Sequence, residues 1–70
     1  MNWKWVAEDQ SWYDHATPYH IHRWGTTPPQ FCAYRSGLPV KWSLDAEELK
    51  RFCEADAAAG GTAPVAWTVA

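Results

Sequence analysis

Residues 19–36 read YHIHRWGTTPPQFCAYRS and contain two strand-like segments separated by a short loop. Ring-bearing and aliphatic side chains alternate with polar ones on both sides of a loop that contains two consecutive prolines. Because proline cannot donate a hydrogen bond to a sheet, the loop at 25–29 interrupts the pairing of its flanks. The pattern therefore predicts an antiparallel hairpin with strands over 19–24 and 30–36.

One more strand is predicted before this hairpin. Residues 3–8 alternate as a strand does, whereas residues 9–18 are polar and rich in turn formers. We interpret residues 9–18 as a loop, with a short strand at Trp12–Tyr13 as the alternative. After the hairpin, a turn is predicted at 37–39, and the extended residues 40–42 lead into a helix.

The helix is predicted to begin at Ser43, whose hydroxyl suits the N-cap, and to end at the glycine pair 60–61. Its apolar side chains recur at spacings of three and four, as on a helix with one buried face; they are Ala46, Leu49, Phe52, Cys53 and Ala57. We predict an α+β fold, a small three-stranded antiparallel β-meander with one C-terminal α-helix packed on one face. Residues 1–60 form this single domain, and residues 61–70 form a C-terminal tail that either adds an edge strand or frays.

Alternation sorts the hairpin into two faces. One face is apolar and suits packing beneath the helix; it carries Tyr19, Ile21, Phe31 and Ala33. The opposite face carries His20, His22, Trp24, Cys32 and Tyr34. One helix covers only one face of such a sheet, so the second face is either exposed or roofed by the chain's own ends.

Six tryptophans in 70 residues are more than so small a core can bury well. An exposed group of rings commonly marks a surface to which a partner binds. We predict a docking surface whose anchor is formed by Trp24, Tyr34, His20 and His22 and whose rim is formed by Trp12 and Arg35.

The charge balance bears on the class of partner. Six basic residues stand against eight acidic ones, for a net charge of −2, whereas nucleic-acid binders normally carry a basic excess. We therefore expect a protein partner, no direct nucleic-acid binding, no membrane association and a chain that is monomeric when free. No apolar run is typical of a signal peptide or a membrane span.

The two cysteines, Cys32 and Cys53, are expected to be reduced thiols of a cytoplasmic protein, because disulfide-stapled small domains usually carry four or more. A Cys32–Cys53 bridge between strand and helix is the alternative.

Two short patterns could carry chemistry. His20 and His22 point the same way from one strand and could hold zinc together with Cys32 or His15. This would make the chain a small metal-binding or nucleic-acid-associated accessory protein, although we expect neither a metal nor a cofactor. Asp14 stands beside His15, but no pattern orders these residues into a catalytic triad or a phosphate loop, so we expect no enzymatic activity.

Acidic residues gather on the predicted helix, where they form an exposed side made of Asp45, Glu47, Glu48, Glu54 and Asp56. Such a run is most often a solvated face. It could instead imitate phosphate groups and occupy the basic groove of a nucleic-acid enzyme.

The order of these signals resembles a loose group of small phage and prophage proteins. Their shared pattern is an early Trp, a Tyr-x-Ile strand, a Phe-x-Ala-Tyr-x-x-Gly strand and a helix that opens with Ser or Thr. This sequence matches it at Trp12, at 19–21, at 31–37 and from Ser43, so the resemblance covers about residues 12–56. It departs from the pattern at Leu49, where Ala is commoner.

The resemblance implies a compact sheet-plus-helix protein that acts in the cytoplasm of a host bacterium. Similar small phage proteins bind and redirect a host enzyme, most notably RNA polymerase, and others block CRISPR effectors. We therefore predict a non-enzymatic protein that binds a host bacterial protein and modulates it sterically. RNA polymerase, with inhibition of transcription as the consequence, is the leading candidate.

Overall fold

The computed structural model describes residues 1–67, which form a five-stranded antiparallel sheet and one helix. The elements are β1 (Lys4–Val6), β2 (Ser11–Tyr13), β3 (Tyr19–Trp24), β4 (Gln30–Arg35), β5 (Leu38–Ser43) and α1 (Ala46–Ala58). The strands follow one another across the sheet in chain order, so the topology is a meander. The predicted α+β class with a C-terminal helix is confirmed, whereas the prediction of three strands is wrong.

One of the two missed strands lies inside the segment predicted as a loop. Strand β2 pairs antiparallel with β1 on one side and with β3 on the other, so that Trp12 lies opposite both Trp5 and Ile21. The short strand considered as the alternative at 12–13 is therefore present. The first strand is shorter than predicted, because a turn that includes Gln10 at φ 52° follows it.

The other missed strand is β5, which begins directly after a tight turn. Ser36 and Gly37 both have positive φ, at 53° and 83°, as the two central residues of a type I′ hairpin turn do. The predicted turn at 37–39 was thus placed too late, and Pro39 lies within an edge strand, where a missing N–H is tolerated. The register shifts between Ala33 and Tyr34, which makes Val40 the extra residue of a β-bulge.

The core lies between α1 and one face of the sheet. Its buried members are Tyr19, Ile21, Phe31, Ala33, Val40, Leu49 and Cys53. The side chains of the hairpin therefore divide between the two faces as the alternation predicted. Trp3, Trp12, Phe52 and Ala63 are partly buried against this cluster.

The N-cap of the helix lies two residues later than the predicted Ser43. The N-cap is Asp45, whose carboxylate accepts a hydrogen bond from the backbone N–H of Glu47. Ser43 belongs to β5, and its hydroxyl accepts a bond from the backbone N–H of Asp45. The buried stripe of α1 ends on Asp56, whereas Ala57 is exposed, so both the predicted stripe and the predicted acidic side are wrong at this point.

The described part of the predicted tail leaves the helix at Gly60 and returns to the sheet. Within it, 62–67 form no strand, but the backbone N–H of Ala66 donates to the carbonyl of Pro39 on β5 at 2.8 Å. Residues 68–70, on which part of the prediction for the tail falls, lie outside the described residues.

Two further sequence predictions concern the cysteines and the membrane. Cys32 and Cys53 are both buried free thiols, so the alternative of a bridge is wrong. Within residues 1–67, α1 is too short and too polar to cross a bilayer.

Candidate functional site

The helix leaves one face of the sheet uncovered, and we call it the open face. Pairing and alternation place on it Lys4, Val6, Ser11, Tyr13, His20, His22, Trp24, Gln30, Cys32, Tyr34, Pro39 and Trp42. Four of the six residues predicted for the docking surface are in this set, namely His20, His22, Trp24 and Tyr34.

A ladder of stacked rings crosses the middle of the open face. The ring of His20 lies between those of Tyr13 and Tyr34, with centroid distances of 5.2 and 4.7 Å and interplanar angles of 17° and 5°. His15 stacks on the outer side of Tyr13 at 6.0 Å. The stacking follows from the register, because Tyr13, His20 and Tyr34 lie directly opposite one another on strands spaced about 4.8 Å apart. The faces of the inner rings contact other rings, so these side chains offer mainly their edges to a partner.

Trp24 is the large exposed side chain at the end of the open face. Its indole packs edge-on against His22, with centroids 4.4 Å apart, and donates through Nε1 to the hydroxyl of Tyr34 at 3.3 Å. Even so, 49% of Trp24 remains exposed. These contacts orient the indole on the sheet and leave about half of it available for a partner.

An apolar cleft lies at Gln30, the residue opposite Trp24, where β4 begins and β5 ends. It has a volume of about 190 Å³ and is lined by Gln30, Trp42, Ser43 and Leu44. Leu44 is 66% exposed although it is fully apolar. The cleft therefore extends the apolar surface from Trp24 toward the edge of the sheet.

The C-terminal segment covers a small part of the open face. The indole Nε1 of Trp42 donates to the carbonyl of Ala66 at 2.9 Å, which ties this segment to the β5 side. Cys32, which lies opposite Trp42 on β4, is fully buried. Within residues 1–67, the C-terminal segment thus lies on the β5 side of the open face and leaves Trp24 exposed.

A buried hydroxyl holds His22 from beneath. Ser11 Oγ lies 2.8 Å from His22 Nδ1 and 2.9 Å from the backbone carbonyl of Asp9. The pair is brought together because Ser11 and His22 are directly opposite each other on β2 and β3. His22 is therefore fixed in orientation, as a side chain of a preformed binding surface should be.

Burial sets the charge state of the titratable groups in the ladder. Burial lowers the pKa of His20 below its ordinary value of 6.5, and the nearby charge of His22 lowers it further. Burial also raises the pKa of the Tyr34 hydroxyl, and it raises that of the Cys32 thiol to about 11. Cys32 is therefore a neutral thiol near pH 7, which makes it a poor nucleophile and a poor metal ligand.

The remaining two predicted site residues lie on the helix side of the sheet. Trp12 contacts Trp5 and Phe31, with centroids 4.4 and 5.7 Å away, and the ammonium of Lys50 lies 4.9 Å from its ring. Arg35 forms an ion pair with Asp56. The prediction that these two form the rim of the open face does not agree with their positions.

The two misplacements have different causes. The face on which Arg35 lies could be predicted from the sequence, because Arg35 alternates with Ala33 and so shares its face. The face of Trp12 could not be predicted, because it depends on the register between β2 and β3. The same register brings Ser11 and Tyr13 to the open face, and the unforeseen strand β5 adds Trp42.

Arg35 belongs to a polar cluster centred on the carboxylate of Asp56. Oδ2 accepts hydrogen bonds from the Tyr19 hydroxyl at 2.5 Å and from Arg35 Nη1 at 2.8 Å, and Oδ1 accepts one from the backbone N–H of Ala63 at 2.8 Å. The bond from Tyr19 is the main cause that holds the pKa of Asp56 below its ordinary value, and those from Ala63 and Arg35 add to it against the effect of burial. The cluster joins sheet, helix and C-terminal segment, which is a structural role.

The geometry of a metal centre is not assembled in the part of the chain that the structure describes. Residues 1–67 contain no group of three or more His, Cys, Asp or Glu side chains placed to hold a metal ion. Of the set predicted as the alternative, His22 directs Nδ1 at Ser11 and Cys32 is buried as a neutral thiol.

Comparisons of this chain with protein-family models, with curated proteins and with solved structures found no match. The resemblance to small phage proteins therefore stays a prediction.

Proposed function

We propose that this protein binds a partner protein through the open face and acts by occupying a surface of that partner, without catalysis. The observation that carries the proposal is Trp24, an indole held in place by His22 and Tyr34 and yet about half exposed. Oriented aromatic side chains with free area are the residues that most often dominate binding energy at protein interfaces.

The arrangement of the rings favours a protein partner over a nucleic acid. Proteins that bind single strands stack bases on the faces of exposed aromatic rings and follow the backbone with a positive groove. Here the faces of His20 and Tyr13 are occupied by neighbouring rings, and the chain carries a net charge of −2. What remains is a row of polar ring edges beside an apolar end formed by Trp24 and the cleft at Leu44, which suits a mixed protein surface.

Bacterial RNA polymerase is the partner to test first. This choice rests on the resemblance of residues 12–56 to small phage proteins, of which similar members redirect that enzyme. In this proposal the open face covers a working surface of the polymerase, and inhibition of transcription follows from steric exclusion.

The proposal is tested by the affinity of purified protein for RNA polymerase, compared between Trp24→Ala and Trp5→Ala. Trp5 is a matched control, because it is 41% exposed but lies on the helix side of the sheet, opposite Trp12. Truncating an interface anchor costs about 2 kcal/mol or more, so Trp24→Ala should weaken binding at least about tenfold. Trp5→Ala should leave the affinity within about threefold.

Circular dichroism and thermal unfolding would establish that both variants are folded. Equal affinity of the folded Trp24→Ala variant and the wild type would remove the open face from the interaction. A wild-type protein that does not bind the polymerase at all would remove the named partner.

A further inference from the structure

We propose that the open face recognises a carboxylate on its partner through Nε2 of His22 in the protonated form, so that binding takes up a proton. This inference deepens the proposed function and rests on it, because it assumes that the open face is the docking surface. It is carried by a hydrogen-bond network and by the distribution of charge over the two sides of the sheet.

The network assigns the tautomer of His22. The Ser11 hydroxyl has one proton, and its bond to the backbone carbonyl of Asp9 uses that proton, since a carbonyl can only accept. Ser11 Oγ must therefore accept from His22, whose Nδ1 carries the hydrogen. In the neutral ring Nε2 is then an unprotonated acceptor, and it is the atom that the next proton enters.

Protonation of His22 breaks no hydrogen bond inside the protein. Nδ1–H donates to Ser11 in the neutral ring and in the imidazolium alike, so the ring keeps its orientation when it becomes charged. The added proton comes from solvent and resides on Nε2, which becomes a donor. The half-buried ring can therefore present a charge-assisted hydrogen bond to a partner without rearrangement.

Within residues 1–67, no carboxylate forms a hydrogen bond or an ion pair with His22. On its own strand, His22 is flanked on the open face by His20 and Trp24, and β4 beside it contributes Gln30, Cys32 and Tyr34. On the other side, β2 contributes Ser11 and Tyr13, and the Tyr13 hydroxyl is bonded to the side chain of Asp9. His15 and Lys4 lie further away, beside Tyr13. The acid in this set, Asp9, lies in the turn before β2, and its carboxylate accepts a hydrogen bond from the Tyr13 hydroxyl.

Most of the exposed acidic side chains lie on the helix side of the molecule instead. The exposed acids of the helix region are Asp45, Glu47, Glu48 and Glu54. The open face therefore carries Lys4, His20 and His22, with His15 stacked at its edge, and it complements an acidic surface once His22 is charged. A partner carboxylate beside Nε2 favours the charged ring, because an opposite charge within about 4–6 Å stabilises it.

Poly-L-glutamate is the probe for this inference, with poly-L-lysine as its opposite. Nuclear magnetic resonance of isotopically labelled protein measures the affinity for each polymer and the chemical shifts of the His22 ring nitrogens. We expect hydrogen on Nδ1 of His22 in the free protein at about pH 7.5. We also expect poly-L-glutamate to bind more tightly as the pH falls from about 7.5 to about 5.5, by at most about tenfold for each unit of pH, the limit for uptake of one proton.

His22→Gln and His15→Gln form a matched pair, because each removes one titratable ring, on the open face and at its edge respectively. His22→Gln should lose the pH dependence and weaken binding at about pH 5.5 by about tenfold, whereas His15→Gln should keep most of both. Thermal unfolding establishes that each variant is folded.

Three results would overturn the inference: hydrogen on Nε2 of His22 in the free neutral protein, poly-L-lysine binding more tightly than poly-L-glutamate, or equal losses in the two variants. None of them depends on RNA polymerase, so a failure to bind the polymerase and a failure of this inference are distinguishable.

Discussion

The hydroxyl of Tyr19 donates a 2.5 Å hydrogen bond to Oδ2 of Asp56, which lies 37 positions further along the chain. Tyr19 begins β3, and Asp56 lies in the last turns of α1. The same carboxylate binds Arg35 on β4 and the backbone of Ala63 beyond the helix. A single buried acid therefore holds together the sheet, the helix and the C-terminal segment, and it does so on the side opposite the open face.

Neutralising this acid should destabilise the fold. Asp56→Asn removes the charge that Arg35 and the Tyr19 hydroxyl bind, and Asp56 is only 7% exposed. Losing one member of a buried charged network leaves its partners poorly satisfied, so we expect the free energy of unfolding to fall by about 2–3 kcal/mol. Urea unfolding measures it, with Glu54→Gln on the exposed side of the same helix as the control, expected to change stability by less than about 1 kcal/mol. Equal losses in the free energy of unfolding for the two variants would show that the Asp56 network stabilises the fold no more than an exposed acidic side chain does.

The same carboxylate should make the fold sensitive to acid. Its pKa is lowered in the folded protein, chiefly by the Tyr19 hydrogen bond, below the ordinary value of 3.8. A group with a lowered pKa contributes its stability above the unfolded value, and this stability is lost as the pH falls through the folded value. The wild-type protein should therefore lose stability below about pH 4 more steeply than Asp56→Asn. Urea unfolding between about pH 6 and 2 checks this, and parallel pH profiles of the two proteins would refute it.

Substitution of Trp12 should lower the stability of the fold much more than substitution of Trp24. Trp12 packs beneath the helix against Phe31 and Lys50, so Trp12→Ala should lower the free energy of unfolding by about 3 kcal/mol. Trp24 is about half exposed, so Trp24→Ala should cost about 1 kcal/mol or less. Chemical denaturation of both variants measures the difference. A larger loss for Trp24→Ala would mean that the open face is a second core rather than a surface.

Two substitutions in the turn between β4 and β5 should change the stability of the fold in opposite directions. Gly37 has φ 83° and would meet nothing within 4 Å if it gained a Cβ, so Gly37→Ala should destabilise the fold through backbone conformation alone, by about 1 kcal/mol. Ser36 has φ 53°, where Asn is better tolerated than Ser, so Ser36→Asn should raise stability by a few tenths of a kcal/mol. Thermal unfolding of both variants checks the signs. A stabilising Gly37→Ala would contradict the type I′ geometry.

The central hairpin illustrates what could be predicted from local sequence. Its two strands carry period-two alternation over six residues each, and the proline-rich loop marks their boundary. These signals lie within the segment itself, so they predict both the strands and the face of each side chain. The anchor residues His20, His22, Trp24 and Tyr34 follow from that alternation.

Strand β2 illustrates what could not be predicted in this way. It is three residues long and stands in a polar, turn-rich stretch, so its strand state comes from pairing with β1 and β3 on both sides. Three residues contain too little alternation to predict the register of a strand. That register determines that Trp12 lies beneath the helix and that Ser11 lies beside His22.

The sequence by itself determined the class of fold, the central hairpin and the ring-rich character of the open face, because these follow from alternation between near neighbours. Only the tertiary structure produces the five-strand sheet, the burial of Asp56 and the contact between His22 Nδ1 and the Ser11 hydroxyl. An acid near a helix end is ordinarily solvated, and Asp56 is buried only because Tyr19, Arg35 and Ala63 converge on it. The physical reason is the same in each case: these features depend on groups that are distant along the chain and adjacent only after folding.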